Sequence, residues 1–172
     1  MSTVLIPIQL ICIILLSIPA SAAEGSLEKA KLGRVLWSSF QCATWADMSG
    51  NKKEHAPLFV VGLKAGREFI NAVRSGQVTA KLAKQEAPIE VTTLLEGPST
   101  DFLVGRIFQS AGLDAYDKIV KEENGVLLEP SKWINDKELI KTKAQTRYLN
   151  GNCAALKERK VDRGGQSRTK SN

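Results

Sequence analysis

Two short runs of this chain share a pattern. GLKAGREFI (residues 62–70) and VGRIF (residues 104–108) each place an arginine directly after a glycine and two residues before a phenylalanine. A guanidinium is a fixed fork of donors. Two of them on one cleft would hold a carboxylate or a phosphate in bidentate fashion. Arg67 and Arg106 are therefore the candidate anion-binding pair. The alternative is structural: each arginine lies at the edge of a buried stripe and pairs locally, with Glu68, Asp101, Glu96 and Asp114 as available partners. Four shared letters do not establish an internal duplication.

Other chemistry is sparse. His55 is the only histidine, and it stands in a charged stretch before Pro57. No serine or cysteine nucleophile has a second histidine to serve it. Glu68, Glu90, Glu96 and Asp101 could supply a carboxylate pair for glycosidic cleavage, but nothing in their spacing singles out two of them. No phosphate loop, dinucleotide fingerprint or metal-ligand cluster appears, so neither a cofactor nor a metal is expected. Trp37 and Trp45 are eight residues apart. That is about two helical turns, which puts both on one face. They fill a core or, if exposed, form an aromatic strip for a partner.

Helices must position these residues. Leu32, Val35, Leu36, Phe40, Ala43 and Ala46 recur at spacings of three and four, which predicts an amphipathic helix over residues 26–48. Ser26 is its expected N-cap, and Gly50 follows its end. A second helix is predicted over residues 56–74, with Pro57 in the first turn and Gly76 just past the end. Its inward face reads Leu58, Val61, Gly62, Gly66, Phe69, Ile70 and Val73.

A short helix over residues 79–86 ends at Pro88, where another turn begins. Gly97-Pro98 breaks the chain again, and Ser99 or Thr100 caps the next helix. Asp101 in that first turn suits the helix dipole. This helix is expected to run to residue 123 and close at Gly125, with Phe102, Gly105, Phe108, Gly112, Tyr116 and Ile119 inward. VLLEPSKW reads as irregular with a short extended piece. A last helix follows Asn135 and ends at Asn150-Gly151.

Glycine costs about 1 kcal/mol against alanine inside a helix. Gly62 and Gly66 on one helix, and Gly105 and Gly112 on the other, therefore predict that these two central helices pack closely on each other. G-x-x-x-G marks helix association only inside a membrane span, and Lys64, Arg67 and Glu68 rule that out here. The expected fold is all-α, a compact bundle of five to six helices.

The ends differ from the body. Residues 4–18 form an uncharged apolar run followed by Pro19, Ala20, Ser21, Ala22 and Ala23. That is the pattern of a secretory leader with cleavage near Ala22 or Ala23, although no Lys or Arg precedes the run. The alternative is an uncleaved anchor, but the run is short for a span of about 20 residues. Leu10 and Ile11 before Cys12 do not fit a lipid-attachment signal.

The expected division is a leader over residues 1–23, one helical domain over residues 24–155 and a basic tail over residues 156–172. About 149 residues then remain, enough for one core. The net charge is +6. The tail carries six bases against two acids and little to bury, so a disordered, solvated segment is expected. Nucleic acid, which needs a basic face, is not the expected partner, because most of the excess positive charge lies in the tail and an exported protein rarely meets nucleic acid. If the tail binds anything, an anionic envelope surface is the expected target.

Two cysteines survive cleavage, Cys42 and Cys153. An even count in an exported chain points to a disulfide between them. It closes a loop of about 110 residues, worth roughly 4.7 kcal/mol on the chain-entropy model. Cys153 lies just past a helix end, so the bridge would tie the last element to the first.

LWSSFQCATWADMSG, LFVVGLKAGREFI, LLEGPSTDFLVGRIFQSA and YLNGNC, spread over residues 35–153, resemble a group of small exported proteins of Gram-negative bacteria and their phages. No activity is assigned to that group. The resemblance implies a periplasmic location, supports the Cys42–Cys153 pairing and implies no catalytic residues. Three functional expectations follow. The first is a non-enzymatic periplasmic protein that binds or inhibits another envelope protein, which covers cell-wall enzyme inhibition, toxin immunity and phage exclusion. The second is a small carboxylate-dependent hydrolase of peptidoglycan or another glycan. The third is an anionic small-ligand binder using Arg67 and Arg106.

Overall fold

The computed structural model describes residues 20–158, with side chains from Ala23 onward. The expected leader up to residue 19, and the tail from residue 159, lie outside the described residues. Seven helices are present among the described residues: α1 (Ala20–Met48), α2 (Lys52–Arg74), α3 (Ala80–Glu86), α4 (Ile89–Thr92), α5 (Thr100–Val120), α6 (Lys137–Asn150) and α7 (Cys153–Glu158). A two-stranded antiparallel hairpin, β1 (Glu122–Glu123) and β2 (Val126–Leu127), and one 3-10 turn (Pro130–Lys132) join α5 to α6. The all-α expectation holds, with α7 and the hairpin as additions.

α1 is the central element. Between Val35 and Ala46 it is buried on nearly every side, because α2, α3, α5, α6 and α7 all pack on it. Trp37 and Trp45 are 6% and 8% exposed, so they form no aromatic strip at the surface. They serve two separate apolar clusters. Trp37 joins Leu36, Phe40, Phe69, Ile70, Leu103 and Ile107. Trp45 joins Leu58, Ala115, Ile119, Ala144 and Tyr148, and its Nε1 donates to the Ala115 carbonyl at 3.1 Å. Ser26 is not an N-cap. α1 begins one to two turns earlier, and the Ser26 hydroxyl donates to the Gln77 carbonyl at 2.6 Å. Cleavage near Ala22 or Ala23 would remove only the first turn of α1.

The glycines of α2 mark a close approach, but mainly with α1 rather than with α5 as expected, and those of α5 mark none. A Cβ on Gly62 would sit 2.6 Å from the Phe40 ring, and one on Gly66 would sit 2.7 Å from Leu36 and 3.0 Å from Val104. These notches therefore receive α1 first, with α5 touching only at Gly66. Gly105 faces open space, and a Cβ on Gly112 would meet only the Thr44 hydroxyl at 3.4 Å. The inward face of α5 is Leu103, Val104, Ile107, Ala111, Ala115 and Ile119. Phe102 and Tyr116 are exposed instead. The closest approach of all is Gly33, where a Cβ would meet that of Ala87 at 2.5 Å. Phe59 was not expected to face inward. Its ring meets Phe40 at 5.7 Å and Phe108 at 5.2 Å, with Phe40 and Phe108 at 5.1 Å, a mutually tilted set of the kind aromatic rings prefer.

Caps explain most boundaries. Thr79 accepts from the Leu82 amide, Ser99 from Phe102 and Asp136 from Leu139. α2 starts four residues before its expected position. Pro57 therefore lies in the second turn, where the carbonyl left without a helical partner is on exposed Lys53. The largest departure follows α5, which ends at Val120 rather than running to 123. Asn124 and Gly125 adopt φ of 51° and 79°, and Glu123 pairs with Val126 across them. Asn-Gly with both residues left-handed is the two-residue turn that matches strand twist.

The Cys42–Cys153 disulfide is formed, with Cα atoms 5.6 Å apart and both residues essentially inaccessible to water. It ties α1 to the start of α7. α7 extends to Glu158, so the first three residues of the expected tail belong to the fold. Leu156 packs on the second apolar cluster.

Candidate functional site

Arg67 and Arg106 both lie beside the start of α5, and each has its own partner. Arg67 grips Asp101 with two donors, Nε to Oδ1 at 2.7 Å and Nη2 to Oδ2 at 3.1 Å. The hydrogen bond from Arg67 holds the Asp101 carboxyl below its usual range. Both side chains are more than half exposed, so water screens the pair and its worth to stability is small. Arg106 donates through Nη1 to the Glu96 carbonyl at 2.8 Å and lies 5.8 Å from the centre of the Phe102 ring. These local contacts match the structural alternative for the arginines. Neither arginine lines either of the two cavities described below.

Glu54 organises the C-terminal end. Its Oε2 accepts from the Tyr148 hydroxyl at 2.8 Å and from the Lys157 ammonium. One carboxylate on the first turn of α2 thereby pins α6 and α7. The hydrogen bond from Lys157, then that from Tyr148, holds the Glu54 carboxyl below its usual range. Burial first, and the Glu54 carboxylate second, push the Tyr148 phenol up to about 12 from an ordinary 10.0. A phenol with a raised folded-state pKa adds stability that is complete below 10 and is lost as pH rises through 12. Glu54 works in the opposite sense: its contribution is present above the ordinary carboxyl range and is lost as pH falls through its lowered value. In a Tyr116→Phe variant, the remaining tyrosinate absorbance should therefore rise near 12, and adding Glu54→Gln should bring it down. A single titration at 10 would show that neither the burial of Tyr148 nor its bond to Glu54 persists in solution.

A cavity between α5, the hairpin and α6 was not anticipated. About 280 Å3 in volume, it is lined by Lys118 of α5, Glu122, Glu123 and Asn124 of the hairpin, Ile134, and Leu139, Lys143 and Arg147 of α6. Lys143 Nζ donates to the Glu122 carbonyl at 3.1 Å, and Lys118 pairs with Asp114 at 2.7 Å. Arg147 makes no side-chain ion pair among the described residues. A smaller cavity of about 200 Å3 lies between α1 and Leu156, but its Arg34 already donates to the Glu86 carbonyl.

Exposed apolar side chains stand on the hairpin and on the elements joined to it. Val126 and Leu127 are 66% and 70% exposed, and Leu139, Tyr116 and Trp133 are also exposed. Lys121 lies over both aromatic rings, 4.9 Å from the centre of Trp133 and 5.9 Å from that of Tyr116. The Trp133 indole donates to the Leu128 carbonyl at 3.2 Å, which fixes the segment behind β2. The one sequence signal for this region was Asn-Gly between EE and VL, which marks a hairpin.

Among the described residues no cluster of potential metal ligands forms, and no helix is long and apolar enough to cross a membrane. Compared with protein-family models, with curated proteins and with solved structures, the chain matches none.

Proposed function

We propose that this chain is an exported, non-enzymatic protein that acts by contacting another protein of the cell envelope, as a binding or inhibitory partner. The exposed apolar side chains around the hairpin carry this reading. A tight Asn-Gly turn, a fixed indole and a stapled helical body hold Val126 and Leu127 out in water. Burying such residues against a partner is the most direct gain open to them.

The carboxylates give no comparable support to a glycan hydrolase. A general acid needs a raised proton affinity, whereas the two carboxyls with displaced affinity, Glu54 and Asp101, are both held low. Arg67 already gives the forked edge of its guanidinium to Asp101, so an anion gripped there would have to displace that carboxylate.

The test is a pull-down with oxidised protein from a Gram-negative envelope extract, beside a Val126→Ser/Leu127→Ser variant of equal melting temperature. One protein retained at near-equal stoichiometry by the wild type, and lost by the variant, is the expected result. Equal retention by both would move the contact away from the hairpin. Release of soluble sugar from peptidoglycan would replace the binding reading with the hydrolase.

A further inference from the structure

We infer that the cleft between the hairpin and α6 is a receiving site for an acidic side chain of the partner, one that sits next to an aliphatic residue. This rests on the binding reading above and adds where the contact is anchored and by what chemistry.

Three cationic residues from two helices, Lys118, Lys143 and Arg147, line this cleft together with Glu122 and Glu123. The first two are partly engaged. Lys118 donates one hydrogen bond to Asp114, and Lys143 donates one to the Glu122 carbonyl. An ammonium has three protons, so each keeps donors for a ligand. Arg147, on exposed α6, has its whole fork available among the described residues. Ile134 and Leu139 are the cleft's apolar lining. The Leu139 side chain is half exposed, with nothing yet covering it.

A volume near 280 Å3 lies at the lower limit for a small-molecule pocket and suits one or two side chains. A carboxylate would take the forked contact with Arg147, and a neighbouring aliphatic group would cover Leu139. Val126 and Leu127 lie directly across the strand pairing from Glu123 and Glu122, so a segment seated here also reaches the exposed apolar residues. The chain's own segment beyond residue 158 is a poor occupant, because it carries five bases against one acid.

The probe is an acetylated, amidated tetrapeptide of alternating leucine and glutamate, titrated at low salt into the isotope-labelled, oxidised full chain and followed by amide NMR. Its glutamine counterpart and free glutarate serve as controls. Saturable shifts at Asn124, Leu139, Lys143 and Arg147 are expected, with roughly tenfold weaker binding to Arg147→Ala and still weaker binding as salt rises. Binding unchanged in Arg147→Ala, or equal for the glutamine peptide, would overturn the cleft as a carboxylate site. Equal binding of free glutarate would overturn its assignment to a protein segment. The pull-down separates the two levels. A partner held equally by wild type and Arg147→Ala, yet lost by the hairpin variant, leaves the binding reading intact and removes the cleft. A partner lost by both variants supports the two together.

Discussion

Gly66→Leu should unfold at a much lower urea concentration than the wild type, with a loss of about 3 kcal/mol or more. The notch at Gly66 is already filled by Leu36 of α1 on one side and Val104 of α5 on the other. A new side chain there has no direction in which to go. It must push α1 or α5 off α2, and α1 is the helix on which nearly everything else rests. The helix-propensity gain from replacing glycine, up to about 1 kcal/mol, is too small to compensate. Gly105→Ala is the matched control and should have the opposite sign. Gly105 lies within α5, and a Cβ there meets nothing within 4 Å. The substitution should therefore stabilise by about 0.5–1 kcal/mol. Equal destabilisation by both would show that the two glycines share a role, contrary to the different surroundings of each. Wild-type melting of Gly66→Leu would show that α1 and α2 are not in close contact.

The second large effect is that of the bridge. Cys42→Ala/Cys153→Ala should lose between about 2 and 5 kcal/mol in equilibrium urea unfolding. The two cysteines are 111 residues apart, so the bridge restricts almost the whole described chain in its unfolded state. Both sulfurs sit in the apolar cluster shared by Trp45, Ile119, Ala144 and Tyr148. Alanine keeps that site apolar, so the change reports the crosslink rather than a buried hydroxyl. Domains of this size are typically stable by only about 5–15 kcal/mol, which makes the crosslink a substantial share. An unchanged midpoint would mean that α6 and α7 stay docked through the Glu54 contacts and apolar packing alone.

Local chemistry made part of this fold legible in the sequence. Thr79, Ser99, Gly50 and Gly76 act at helix ends as their types imply, because caps and left-handed turns are short-range requirements. The notches at Gly62 and Gly66 were legible as close contacts, but helical period does not say which neighbour fills a notch. On α5, two stripes one residue apart were both plausible. Phe102, Gly105 and Gly112 look like a groove with aromatic flanks, yet Leu103, Ile107, Ala111 and Ala115 bury more evenly against α1. Only the docked partner decides between them.

α7 was hidden by charge. LKE beside a basic tail reads as solvated until Glu54, 103 residues earlier, supplies a carboxylate for Lys157. The same holds for the cleft, whose lining spans Lys118 to Arg147 across α5, the hairpin, α6 and the connection that carries Ile134. Arg67 and Arg106 drew notice because they repeat. Arg147 carries no sequence signal at all and gains its place from what packs around it.

The position of the two cysteines along the chain also sets an order of events during synthesis. Cys42 is made early and Cys153 near the end. At about 5–20 residues per second, the first sulfur waits roughly 6–20 s for the second. Until residues 137–153 are made, the side of α1 on which α6 and α7 will pack stays uncovered. Any chain cut short before residue 153 keeps a free thiol at position 42, whatever part of the first apolar cluster it has assembled. Alkylation of Cys42 thus separates unfinished chains from finished ones, and the closed bridge is a chemical record that the last helix has arrived.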